Sequence, residues 1–169
     1  YRYIPAWEWR EWRTNLDKVM SKNLTLPELR TTHFAMLQRL IGEMHRERIP
    51  ILAGTDSGAT AAVAGFALHD ELGDLVEAGL SPIEALRSAT ILPAQFAHQD
   101  RFTGSITTGK QADLVLLDAD PLADIHNMSR IAAVVRAGRV YDHSALNSLM
   151  QEARQAALSA PRPKDMPDD

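Results

Sequence analysis

No cysteine occurs among the 169 residues, which excludes disulfides, thiolate metal sites and a cysteine nucleophile. Aromatic residues are scarce at 6%. No apolar run approaches the roughly 18 residues of a membrane span. There is no large excess of either charge: a net charge of -4 and a pI near 5.9 give no electrostatic reason to expect nucleic acid or an anionic membrane as partner. What remains is a globular composition, 45% apolar and 24% charged, enough for a core of its own. A small molecule or a peptide is the expected partner. Tyr1 stands first, so a leader peptide and the compartment stay open.

The chain is organised around Ile49 to Gly58, where an apolar run, Ile49, Ile51, Leu52 and Ala53, ends in Thr55-Asp56 between Gly54 and Gly58. Apolar residues without polar alternation predict a parallel strand covered on both faces. Glycines beyond it let the backbone turn sharply and approach a ligand. Asp56 is therefore expected at the carboxyl end of a strand, where α/β folds gather their ligands. Asp56 and Ser57 could equally cap the following helix.

The remainder divides by local chemistry. Trp7, Trp9 and Trp12 lie in a first helical segment, with Trp9, Trp12 and Leu16 on one face as a packing or lid surface. Thr25-Leu26-Pro27-Glu28 predicts a capped helix start. The helix that follows should pack Met36, Leu37, Leu40, Ile41 and Met44 on the sheet that carries Asp56. His33 and His45 fit a helix surface, because no second ligand sits four residues on. Residues 66 to 78 form another helix, closed by Gly79, with His69 near its start as a capping or a substrate-facing group. Ser81-Pro82-Ile83-Glu84 repeats the capping pattern, and a further helix starts near Pro93. Then come a strand over 112–118, a hairpin turning at Ala137-Gly138, and an amphipathic helix over 144–158 using Leu146, Leu149, Met150 and Ala153. The tail from Ala160 has too little apolar content to order itself.

Taken together, Ala53-Gly54-Thr55-Asp56-Ser57-Gly58, Leu68-His69-Asp70-Glu71-Leu72, Leu75 to Pro82, Ala89-Thr90, Pro93-Ala94, Gly104-Ser105-Ile106 and Gly109 to Asp118 resemble the carboxyl-terminal third of the amidohydrolase superfamily. The branch is similar to imidazolonepropionase and Xaa-Pro dipeptidase-like enzymes. The resemblance implies an α/β chain comprising the last part of a (β/α)8 TIM barrel, strand 8 with its flanking helices, plus part of a small β-sandwich. Residues 1–103 would belong to the barrel, 104–142 to the sandwich, 143–159 to a terminal helix and 160–169 to a flexible tail. It further implies a hydrolase of a C-N bond in an amide, cyclic amide or Xaa-Pro-type peptide. One or two divalent ions, zinc being the expected metal, would activate water, and Asp56 would serve as metal ligand and proton shuttle. Ser57 and His69 are the candidate substrate contacts. Lys110 and Asp113 fall in a structural turn.

The family's other ligands include a His-x-His pair. The six histidines here, at 33, 45, 69, 98, 126 and 143, contain no such pair. The expectation is a carboxyl-terminal portion of a larger enzyme, inactive alone, whose remaining ligands and barrel come from the same or a second polypeptide. A homo-oligomer is compatible with this. The alternative is a non-catalytic, barrel-derived structural or interaction module that lacks the metal ligands.

Overall fold

The computed structural model describes residues 2–22, 26–58 and 62–163. Six α-helices and three strands are present among them: α1 (Ala6–Lys22), α2 (Leu26–Arg46), α3 (Ala67–Glu77), α4 (Pro82–Ser88), α5 (Ile91–Phe96), β1 (Leu114–Leu117), β2 (Ile131–Arg136), β3 (Arg139–Tyr141) and α6 (His143–Ser159), with a 3-10 turn at Ile125–Ser129. Thr25 and the side chain of Glu28, hence the capping pair expected of them, and the tail beyond Pro163 lie outside what is described.

Local chemistry places the helix ends. The Glu84 carboxylate accepts the Ser81 backbone N–H at 2.8 Å while the Ser81 side chain accepts the Glu84 backbone N–H, which makes the capping box of α4, and the Ser81 hydroxyl also bonds to the carboxylate. At the end of α3, the Gly79 N–H donates to Val76 O at 3.0 Å and the Leu80 N–H to Leu75 O at 3.1 Å. That is a Schellman closure, and it requires the positive φ of 116° that Gly79 adopts. Leu75 and Leu80 are both buried beneath it. The end of α2 closes in the same way, with Arg48 N–H to His45 O and Ile49 N–H to Met44 O, but here arginine occupies the left-handed position at φ 59°.

The core lies between α3, α4 and the 3-10 turn. It comprises Leu72, Leu75, Leu80, Ala85 and Ile125, with Ile41, Ile51, Ala53, Val76 and Leu86 packed against it. Each buried leucine contributes about 1.5–3 kcal/mol relative to exposure. The sheet is antiparallel in the order β1-β2-β3, with Ala137 and Gly138 forming the β2-β3 turn at φ 50° and 80°. Positive φ at both positions is the mirror-image turn that suits hairpin twist. Asp113 braces this turn by accepting the Ala137 N–H at 2.6 Å and pairing with Arg136. Lys110 is likewise structural, donating to Thr103 O at 3.3 Å and Ser105 Oγ at 2.6 Å.

Two expectations need correction. Residues 49–53 make no strand ladder among the described residues. The Ala53 N–H donates instead to Ser88 O of α4 at 3.0 Å, and Ile51 and Ala53 face the core while Ile49 and Leu52 stay exposed. A parallel strand takes hydrogen bonds from neighbours on both sides, and no described strand lies alongside. The expected sheet-facing stripe of α2 is uncovered for the same reason, with Met36, Leu37 and Leu40 exposed. The face of α2 that meets α3 is a neighbouring one, where Gly42 approaches the Ala78 carbonyl and Gln38 Nε2 donates to Glu77 at 3.1 Å. The apolar stripe of α6 is only partly covered too, since Leu149 remains exposed.

Candidate functional site

Asp56 follows an apolar segment whose end is fixed twice. Below it, Ala53 is tied to α4 through the Ser88 carbonyl. Above that, the Gly54 N–H donates to the Glu71 carboxylate at 3.2 Å, which ties the segment to α3. Thr55 Oγ1 and Ser57 Oγ then share a hydrogen bond of 2.7 Å that spans Asp56. Between them Asp56 adopts φ 48°, in the left-handed region that Asp tolerates better than most side chains. Its side chain is exposed, and no hydrogen bond or ion pair engages its carboxylate among the described residues.

His69 sits in the first turn of α3, one turn before the core leucines, and is partly buried. Its Nδ1 is enclosed without a hydrogen-bond partner among the described residues. Together with Gly58 it lines a cavity of about 650 Å3 between α1, the 62–66 segment and α6. Tyr3 stacks on Phe66 at one wall, with ring centroids 5.2 Å apart. The structure thus brings Asp56 and Ser57 to one turn and His69 to the adjoining cavity. No hydrogen bond or ion pair joins His69 to Asp56 among the described residues.

Glu71 was not singled out as a site residue from sequence. Its signal was a carboxylate four residues before Leu75, on the margin of the buried face of α3. Nearby Asp74 has its carboxyl pushed up from the usual range, first by burial and then by Glu77, Glu71 and Asp70.

No group of three or more His, Cys, Asp or Glu side chains converges as a metal site among the described residues. A catalytic metal takes about three protein ligands. Asp56 offers one, so these residues by themselves do not fit a complete centre.

The amidohydrolase family pattern matches residues 16–141, and the chain belongs to that family. It is 28% identical over 117 residues to ochratoxinase of Aspergillus niger, a match that covers 65% of this chain and 23% of that enzyme. A solved Xaa-Pro dipeptidase with bound methionine in its active site superposes on 62% of this chain and 25% of its own, with 28% identity and a TM-score of 0.57. Molinate hydrolase superposes on 76% of this chain and 30% of its own, with 26% identity and a TM-score of 0.58. The chain therefore spans about a quarter of the length of such relatives. These neighbours imply a TIM-barrel-type fold, to which an α/β chain conforms.

Proposed function

We propose that this chain forms the carboxyl-terminal part of a hydrolase that cleaves a C-N bond in an amide, a cyclic amide or an Xaa-Pro-type peptide. The observation that carries this reading is Asp56: a carboxylate left without a partner among the described residues, on a turn spanned by the Thr55–Ser57 bond and anchored just before it by the Gly54–Glu71 bond. The matched family and its hydrolase neighbours support the same class of reaction.

Asp56 is assigned two roles here. It is one ligand of a divalent ion, zinc being the expected metal, whose other ligands lie outside the described residues. It is also the group that takes a proton from the attacking water and passes it to the leaving nitrogen. As the carbonyl carbon gains an oxygen, the C-N bond breaks and the nitrogen departs as a neutral amine. A carboxylate in hydrogen-bond reach contributes about 10²–10⁴-fold to such a transfer. Ser57 and His69 are assigned to substrate contact, Ser57 through a hydroxyl already oriented by Thr55 and His69 as part of the cavity lining.

The test is a panel of simple amides, cyclic amides and Xaa-Pro dipeptides, incubated with the purified protein joined to whatever polypeptide supplies the rest of the barrel. Released amine is the readout, with and without a chelator. Chelator-sensitive release supports the reading. Release of no amine from any substrate by the complete assembly contradicts it.

A further inference from the structure

The cavity that adjoins Asp56's turn differs in character from the turn itself. Tyr3, Trp12, Val63, Phe66, Leu146 and Met150 are among the apolar and aromatic side chains of its wall, and its volume of about 650 Å3 lies within the range of small-molecule sites, roughly 300–1,000 Å3. Among the described residues no lysine or arginine lines it, the one carboxylate is Glu8, and the remaining polar groups include Asn147, Ser129 and His143. A ligand bearing an anionic group would meet no fixed cation there and would face Glu8. Gly58, two residues beyond Asp56, and His69 are among its lining residues. Trp12 is only 7% exposed, so this wall is packed in place. Phe66 is 43% exposed and presents ring surface that nothing in the described structure covers fully.

We infer that this cavity binds an uncharged aromatic or branched aliphatic group of the substrate, with the amide directed past Gly58 and His69 toward Asp56. The inference rests on the hydrolase reading for its substrate, but the binding itself is separable from turnover. Burial of a ring against Phe66, Tyr3 and Trp12 supplies the attraction, and the lack of cations selects against acidic arms. The amide group, too polar for the apolar wall, is left on the side of Gly58 and His69.

The experiment compares acetanilide, acetamide and 4-acetamidobenzoate, which share one amide and differ in the arm. Binding to the assembled protein is followed by tryptophan fluorescence, because Trp7, Trp9 and Trp12 all lie in α1 and Trp12 is in the wall. Acetanilide should bind at least about tenfold more tightly than either of the others, and Phe66→Ala should remove about tenfold of that affinity. Leu158→Ala, on an exposed part of α6 away from the wall, should leave binding unchanged. Because Phe66 is already half exposed, its truncation leaves the core intact. Equal affinity for acetanilide and acetamide, or unaltered binding in Phe66→Ala, would overturn the inference. Selective acetanilide binding without hydrolysis would uphold the cavity assignment and count against the hydrolase reading alone.

Discussion

Replacing Gly42 by alanine should destabilise the protein, against the usual sign for a helix interior. In an ordinary exposed helix, Gly→Ala gains about 1 kcal/mol, because glycine loses more backbone freedom on folding. At Gly42 the added Cβ would lie 2.5 Å from the Ala78 carbonyl oxygen. That oxygen belongs to backbone, at the end of α3, where the Gly79 and Leu80 hydrogen bonds and the burial of Leu80 prevent it from swinging aside. Overpacking of this kind costs about 1–3 kcal/mol, and with an immovable partner the upper half of that range applies. The net loss is about 1–2 kcal/mol, or roughly 2–8 °C in Tm for a chain of this size. Gly73 is the control. A Cβ there would meet only His126 Nε2, at an ordinary 3.6 Å, so Gly73→Ala should keep the helix gain of up to about 1 kcal/mol. Urea unfolding of both variants beside the wild type provides the assay. Equal stabilisation by the two substitutions would refute the α2–α3 contact.

Arg48→Gly should stabilise by about 1 kcal/mol in the same assay, because it relieves a non-glycine residue at φ 59° without loss of a described side-chain bond; a destabilised variant would contradict this. Asp113→Ala should cost about 1–2 kcal/mol and raise amide hydrogen exchange at Ala137, whose N–H loses its acceptor; unchanged exchange would contradict the brace. Glu84 is held below its ordinary value of 4.5 by the Ser81 hydroxyl first and the Ser81 N–H second, so its contribution is fully present above about pH 4.5 and is lost as pH falls through the folded value. Glu84→Gln should therefore lower Tm near neutral pH and match the wild type in acid; a gap that widens in acid would reverse the sign.

Features set by adjacent residues were legible in the sequence. Ser81 with Glu84, Gly79 at the end of α3, and Ala137-Gly138 between two apolar runs each carry their own geometry, and each forms as expected. Features that depend on distant partners were not. The apolar run at 49–53 has the composition of a buried strand, yet strand formation needs neighbours that hydrogen-bond to it, and its Ala53 N–H finds the Ser88 carbonyl instead. The exposed stripe of α2 fails for the same reason. In the candidate site, Asp56 was marked by the change from apolar run to glycines. The hydrogen bond from Gly54 to Glu71 joins residues 17 apart, and nothing in local spacing announces it. The cavity likewise gathers residues from the start of the chain, α1, the 62–66 segment, α3, the 3-10 turn, β2 and α6, whose meeting no local pattern encodes.

The central claim is that Asp56 acts in hydrolysis and is not a structural residue. Its most direct test is the amide-hydrolysis rate of Asp56→Asn in the complete assembly, with thermal unfolding measured on the same preparation. The account predicts a fall in kcat of about 10²–10⁴-fold with Tm essentially unchanged, since the side chain is exposed and makes no described hydrogen bond. Full activity in Asp56→Asn would contradict it.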